Sequence, residues 1–196
     1  MTRALLRGAL LLATLLLAPL DAHADGQWSA RLGMGGGASM DRTRGASEGI
    51  FELHLAADVM FGGARPNVVR VGPLFDLRTS DFATAEGALG VTLSLPLLQG
   101  FPLTISAGTG AASRRANPDA LFVLGRVAFG YHPYNYLAPY AYALGVYADV
   151  RRDLGAINLW QVTGGVEIDL EFLVAIPFMF ITQWLTREDP EELAVD

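Results

Sequence analysis

Two residue types, cysteine and lysine, are missing from the chain altogether. Without cysteine it can form no disulfide, no thiolate metal site and no cysteine nucleophile. All 14 basic residues are arginine, although soluble domains usually cover their surface with lysine and glutamate. The formal net charge of −6 predicts no nucleic-acid partner, because binding to phosphates depends on an excess of cationic side chains.

Long apolar runs are also scarce. Hydrophobic residues make up 52% of the chain and charged residues only 17%. Beyond the N-terminus, however, no uninterrupted apolar run reaches the roughly 20 residues that a membrane-spanning helix needs. The apolar residues are spread along the chain and mixed with 22 glycines, a distribution that favours strands.

The N-terminus has the pattern of an export signal. Arg3 and Arg7 give a positive n-region, residues 9–17 give a short apolar stretch, and Ala22-His23-Ala24 is a small-x-small cleavage site. We therefore predict a signal peptide over residues 1–24 that is removed from the mature chain. A retained helical anchor is the alternative, and the shortness of the apolar stretch disfavours it.

From residue 28 to residue 170 the chain falls into eight stretches in which apolar and polar residues alternate, separated by turn-forming residues. Each stretch is about 10–14 residues long. That length suits tilted membrane strands of at least 9–11 residues better than soluble strands, which average about 5–6. The predicted strands are 27–36, 49–61, 67–79, 82–95, 102–113, 120–131, 139–151 and 157–170, and the longest predicted loop is 37–48.

The two faces of these strands differ in chemistry. One face carries large apolar side chains, such as Leu53, Val91 and Val146, and no charge within the predicted strands. The other face carries small residues and charges of both signs, which could pair inside a narrow barrel. The charged and titratable residues of this predicted lumen network are Arg31, Glu52, His54, Asp58, Arg70, Asp76, Arg78, Glu86, Arg126, Asp149, Arg151, Glu167 and Asp169.

Alternation alone leaves open which face points outwards, since a soluble ligand-binding barrel would turn its apolar face inwards. The apolar side chains are too bulky to fill the lumen of eight strands, and the polar face without lysine would coat a protein poorly in water. Aromatic residues also share one level, as an interfacial girdle at the periplasmic rim requires. The residues of this predicted girdle are Trp28, Phe61, Phe101, Tyr131, Tyr134, Tyr136, Tyr140, Tyr142 and Phe172.

Over residues 28–170 the pattern resembles the small eight-stranded outer-membrane barrels, the class of the OmpA transmembrane domain and OmpX. Residues 163–170 (TGGVEIDL) are similar to the last-strand motif that the barrel assembly machinery reads in that class. The resemblance implies an all-β fold: one antiparallel up-and-down transmembrane barrel over residues 25–174. It also implies a location in the outer membrane of a Gram-negative bacterium, with outer-membrane lipids around the barrel.

Such barrels commonly end on an aromatic residue, but here the chain continues over residues 175–196 with an apolar stretch and then a polar tail. We predict that the last strand ends near Val174 and that Pro177 begins a short helix, since proline is well tolerated at the first helical position. This helix would lie at the periplasmic interface or cover the barrel end. An extra strand is the alternative, and residues 176–196 could bind a protein partner.

Few residues of the predicted mature chain could support catalysis. Its histidines are His54, in the predicted lumen, and His132, in a predicted turn, and no histidine or serine falls on the apolar face. The carboxylates match no metal-ligand motif. We therefore predict no enzymatic activity, no cofactor and no metal, and a structural or surface-display role for a barrel plugged by arginine–carboxylate pairs. A lipid-handling barrel, either a lipid-modifying enzyme or a soluble periplasmic carrier, is the alternative.

Overall fold

The computed structural model describes residues 26–42, 44–62, 68–114, 117–133, 141, 143–154 and 159–173. Within these ranges eight antiparallel strands form a closed barrel in which each strand pairs with its sequence neighbours and β1 pairs with β8. The prediction of a single eight-stranded up-and-down barrel is therefore confirmed. The strands are β1 (Gln27–Asp41), β2 (Ala46–Met60), β3 (Arg70–Ser80), β4 (Ala85–Leu98), β5 (Phe101–Arg114), β6 (Asn117–Tyr131), β7 (Leu144–Asp153) and β8 (Leu159–Asp169).

Each end of the barrel carries one of two tryptophans, Trp28 or Trp160. The Trp28 end is where β1 begins and β2 ends, and the Trp160 end is where β8 begins and β7 ends. Side chains alternate along each strand because successive residues of a strand point to opposite faces. In β3, for example, residues of even number are buried and residues of odd number are partly or fully exposed.

The outward face is apolar. Leu89, Val91 and Val146 expose 60%, 56% and 55% of their surface, whereas Arg78 and Asp149 on the inward face expose 5% and 3%. The barrel is therefore inverted relative to a soluble protein, in which apolar side chains fill the centre and charges face water.

The β1–β2 hairpin is longer than the sequence pattern suggested. The predicted loop 37–48 is wrong, because β1 continues to Asp41 and β2 begins at Ala46, with Gly37 paired to Ile50. A glycine carries no side chain, so this stretch loses its apolar–polar alternation while its backbone ladder continues. At Gly37 a Cβ atom would lie 1.9 Å from the carbonyl oxygen of Val162, so close strand packing requires glycine there.

A helical turn at residues 170–173 follows β8, and the prediction of a short helix after the last strand is confirmed. The strand itself ends at Asp169, five residues before the predicted boundary at Val174. The reason is local: Asp169 Oδ1 accepts a hydrogen bond of 2.8 Å from the backbone N–H of Glu171, which caps the turn. The predicted helix start at Pro177 lies outside the described residues. Among the described residues, no helix is long and apolar enough to cross a membrane.

The β3–β4 turn carries an unusual backbone. Its two central residues, Asp81 and Phe82, have φ angles of 50° and 56°, as in type I′ turns, where glycine or asparagine is the usual choice. Hydrogen bonds to a neighbouring strand hold the turn, because Asp81 Oδ1 accepts from the N–H of Phe51 at 2.9 Å. The rings of Phe51 and Phe82 lie 5.9 Å apart, and Phe82 is 73% exposed.

Replacement of Phe82 tests the strain in this turn. Phe82→Gly and Phe82→Ala both remove the ring, but only glycine adopts a left-handed conformation without a Cβ clash. We expect the glycine variant to have a free energy of unfolding higher than that of the alanine variant by about 1–2 kcal/mol. Urea unfolding in detergent micelles measures the difference, and equal stabilities would contradict the strained turn.

Candidate functional site: the polar lumen

The structure places all thirteen residues of the lumen network on the inward face, where each exposes 8% of its surface or less. They come from β1, β2, β3, β4, β6, β7 and β8. Because side chains alternate along each strand, all of these residues lie on one face of the sheet. Closure of the barrel then brings the side chains of opposite strands together across a narrow centre.

Arg78 is the centre of the network. Its Nε donates to Asp76 Oδ1 at 2.7 Å, and its Nη1 donates to Glu52 Oε2 at 3.1 Å and to Asp149 Oδ2 at 3.0 Å. These carboxylates belong to β3, β2 and β7, so a single guanidinium ties together three strands. Charge-assisted hydrogen bonds of this kind are roughly twice as strong as neutral ones.

Arg126 shares two of the same carboxylates. It donates through Nε to Asp149 Oδ1 at 2.7 Å and through Nη2 to Asp149 Oδ2 at 2.9 Å, which is the bidentate geometry that arginine favours. Its Nη2 also lies 2.9 Å from Asp76 Oδ2. The guanidinium carbon is 5.2 Å from the ring centre of Tyr147, which adds a cation–π contact on the inward face of β7.

A second group lies nearer the Trp28 end. Arg31 pairs with Asp58 and lies 3.4 Å from Glu167, which joins β1 to both of its neighbouring strands. Ser29 donates a further hydrogen bond of 3.0 Å to Asp58. The carboxylate of Asp58 is therefore satisfied by one charged and one neutral donor, although it is removed from water.

Towards the Trp160 end, apolar side chains join the polar and charged ones in the lumen. Arg151 pairs with Glu86, and its guanidinium carbon lies 5.3 Å from the ring centre of Phe122. At the same levels along the barrel, inward residues of β4, β5 and β6 form a buried apolar cluster, whose members are Ala88, Ala112, Ala120, Phe122 and Leu124. This cluster adds an apolar layer to the ionic filling of the lumen.

His54 is enclosed in the network. Its ring makes an edge contact with Tyr147, with ring centres 4.6 Å apart, and its Nδ1 and Nε2 lie 3.6 Å from Glu52 and 4.0 Å from Glu167. Gly33 makes room for it, since a Cβ at that position would come within 2.2 Å of the imidazole. The imidazole of His54 is thus surrounded by inward-facing residues of β1, β2, β7 and β8.

The described residues include one grouping of metal-ligand type, because atoms of Glu52, His54 and Asp149 lie within 4.8 Å of one another. Arg78 already donates to both carboxylates of this group. Its guanidinium supplies the positive charge that a metal ion would bring, so the geometry is explained by ion pairing.

A cavity of about 300 Å³ opens at the Trp28 end and is lined in part by Arg70, Ser94, Gln99 and His132. The backbone N–H of His132 donates to the carbonyl of Gly100 at 2.8 Å. Burial lowers the pKa of the His132 imidazole, which favours its neutral form. Arg70 is thus the permanently charged side chain among these four.

The described aromatic residues of the predicted girdle lie at the Trp28 end. Trp28, Phe61, Phe101 and Tyr131 expose 40–45% of their surface, and the rings of Phe101 and Tyr131 are 5.6 Å apart. Phe172 is half-buried in the helical turn. The other predicted members, Tyr134, Tyr136, Tyr140 and Tyr142, lie outside the described residues.

Sequence reasoning missed several inward residues and one feature of the outer surface. Tyr147, Phe122 and Asp153 are buried, and their parity along β6 and β7, which matches that of Arg126 and Asp149, could have revealed them. The predicted end of the seventh strand at residue 151 was too early. β7 extends to Asp153, so Arg152 is part of the strand and lies exposed on its otherwise apolar outward face. The alternation along the strand could have revealed this, since Arg152 is even-numbered like Val146 and Val150 on the same face.

No protein-family model matches the sequence, and no curated protein matches it either. Among solved structures, Neisserial surface protein A is similar at 10% identity with a TM-score of 0.44, over 75% of this chain and 98% of that chain. A de novo designed transmembrane β-barrel is similar at 9% identity with a TM-score of 0.38, over 72% and 96% of the respective chains. Similarities this distant carry no functional argument, so function is inferred from the barrel itself.

Replacement of Arg78 tests the network. Arg78→Met leaves three buried carboxylates without their shared cation, and we expect the free energy of unfolding to fall by about 3–5 kcal/mol. Arg44→Met is the matched control, because the side chain of Arg44 is 82% exposed and its pair with Asp41 is a surface pair. We expect that control to change the free energy by less than about 1 kcal/mol.

Both Arg78 variants are measured by urea unfolding in detergent micelles. Arg78→Lys keeps the charge but not the forked geometry, so it should be less stable than the wild type; it provides the test if Arg78→Met does not fold. Equal stability of Arg78→Met and Arg44→Met would contradict the central role of this guanidinium.

Proposed function

We propose that the chain is an integral β-barrel protein of the outer membrane of a Gram-negative bacterium. The observation that carries the proposal is the inverted sidedness of the barrel. Leu89, Val91 and Val146 lie on an outward surface that is predominantly apolar, with Arg152 as an exception, while the inward face holds the ion pairs. Exposing so much apolar surface to water is unfavourable, whereas lipid chains solvate it well.

Aromatic residues at two levels support this location. Trp28, Phe101 and Tyr131 lie partly exposed at one end, and Phe82 and Trp160 lie at the other. Aromatic side chains with a polar group favour the two membrane–water interfaces, and outer-membrane barrels carry girdles at both. The two groups of aromatic residues are therefore one strand length apart, at opposite ends of the barrel.

The route to the membrane follows from the sequence. We propose that residues 1–24 are a signal peptide and that the barrel assembly machinery reads the last strand. Residues 163–170, which resemble its recognition motif, lie at the end of β8 and the start of the helical turn. With the mature N-terminus in the periplasm, the Trp28 end is periplasmic. The short β1–β2 and β3–β4 connections then lie on the extracellular side.

The role that fits this lumen is structural or one of surface display, without catalysis. The ion pairs in the centre and the apolar cluster around Phe122 support the proposal of a plugged barrel, since eight strands leave little space inside. His54, one of the histidines that a hydrolase could use, is enclosed by Gly33, Tyr147 and two carboxylates, where lipid does not reach it. Residues 176–196, which lie outside the described ranges, are proposed as a docking segment for a protein partner.

A charge on the outward face tests the membrane location. Val91 lies in the middle of β4 and Leu98 at its end, and both are exposed, at 56% and 63%. In lipid vesicles we expect Val91→Arg to lower the free energy of unfolding by about 2–4 kcal/mol and Leu98→Arg by about 0–1 kcal/mol, because the cost depends on depth in the bilayer. Urea unfolding in phosphatidylcholine vesicles measures both values.

In a water-soluble barrel both positions would be solvent-exposed, and both substitutions would change stability by only about 0.5 kcal/mol. Equal small effects of Val91→Arg and Leu98→Arg, together with a wild-type protein that stays folded and monodisperse without detergent, would overturn the proposal.

Ion conductance tests the plug. We expect the purified wild-type protein to give no conductance steps in a planar bilayer, because its lumen is filled with side chains. A heat-modifiable shift in electrophoretic migration of the same sample serves as the control for folding. Regular conductance steps from folded protein would contradict a plugged lumen.

A further inference from the structure

The charged side chain of Arg152 lies on the outward face of the barrel. Within β7, residues of even number are exposed or partly exposed and those of odd number are buried, apart from the partly exposed Gly145, and Arg152 belongs to the outward set. It pairs across the strands with Val123 on one side and Trp160 on the other. Among the described strand residues whose side chains the structure places, no other charge points outwards.

A second arginine joins it at the same tryptophan. The guanidinium carbon of Arg152 lies 5.3 Å from the ring centre of Trp160, and that of Arg42, in the β1–β2 turn, lies 5.6 Å from it. Tryptophan is the best aromatic partner for a cation. The two guanidiniums nevertheless repel each other, so their approach to one ring favours an anion between or beside them.

The described residues provide no such anion. Neither arginine has an ion pair with a described carboxylate, because Asp41 contacts Arg44 instead and Asp153 points into the lumen with 6% exposure. The sequence of the neighbouring segment 155–158, Gly-Ala-Ile-Asn, also contains no carboxylate. Among the described side chains, none neutralises these two guanidinium groups, which favours an anionic ligand at this position.

The surface beside the two arginines shows what kind of ligand fits. Met40 pairs with Trp160 across the β1–β8 seam and is 38% exposed. Val162 and Val150 are paired with each other on the outward face and expose 45% and 42%. A cationic rim above an exposed apolar surface matches an amphiphile that has an anionic headgroup and acyl chains.

We propose that Arg42, Arg152 and Trp160 form an outward-facing binding site for the phosphate group of a lipid headgroup in the outer leaflet. The site rests on the proposed membrane location. Guanidinium groups bind phosphate oxygens through paired N–H donors, and stacking on Trp160 holds their planes in place before the ligand arrives. The adjoining apolar strip, which would contact acyl chains, favours a lipid over a free phosphate ion.

The experiment measures lipid binding to the purified full-length protein in zwitterionic detergent micelles by native mass spectrometry. The probe is a bis-phosphorylated, acylated glucosamine disaccharide, and the comparison is the same lipid without its phosphates. We expect the wild type to bind the phosphorylated lipid about tenfold more tightly, and Arg42→Gln/Arg152→Gln to lose about that factor, because charge-assisted contacts are removed. Trp160→Leu should lose part of it.

Arg44→Gln is the matched control, because Arg44 lies in the same turn, is more than four-fifths exposed and pairs with Asp41. We expect that variant to bind like the wild type. Three results would overturn the site: equal affinity of the double variant and the wild type, equal binding of the phosphate-free lipid, or displacement of the lipid by an equal concentration of inorganic phosphate.

Failure of the site and failure of the membrane location are distinguishable. The double variant keeps the apolar outward face, so its heat-modifiable migration and its folding into vesicles should match those of the wild type. Loss of binding selectivity with folding in vesicles intact would remove the lipid site alone. Failure of the wild type to fold into vesicles would remove the membrane location as well.

Discussion

The lumen of an eight-stranded barrel has room for side chains and little else, and charges placed there are removed from water. In the described part of this chain, five arginines and eight carboxylates are buried inside the ring. Arg78 and Arg126 each contact more than one carboxylate, and neutral donors such as Ser29 and Thr163 serve carboxylates as well. Every further property of the barrel depends on this internal pairing, because an unpaired charge in the same place would be strongly destabilising.

Internal pairing also determines the outer surface. Since the strand charges are satisfied inside, the outward face can be almost entirely apolar, and the strands present Leu, Val and Phe side chains to the surroundings. The exception at Arg152 lies at the rim, where a long cationic side chain reaches the headgroup region at small cost. An outward charge near the edge is thus compatible with the membrane location that the apolar surface favours.

The faces of the strands could be predicted from the sequence because alternation needs only local information. Arg78, Glu52 and Asp149 share the inward parity of their strands, and that parity is visible residue by residue. Their pairing is not visible, because it depends on register and on closure between β1 and β8. The β3–β4 turn gave no signal of its type, since Asp81-Phe82 replaces the usual glycine-containing pair. Arg152 was missed because Arg-Arg-Asp reads as the start of a turn rather than the end of a strand.

The ion pairs join residues that are far apart along the chain. Arg31 and Glu167 are separated by 136 positions, Arg78 and Asp149 by 71, and Arg151 and Glu86 by 65. A nascent sheet of the first few strands would therefore hold cations and carboxylates whose counterparts have not yet arrived. Lipid gives such a half-built sheet no compensation, so its entry into the bilayer is disfavoured until the eighth strand meets the first. For the proposed membrane location, we therefore expect insertion to follow the pairing of β8 with β1.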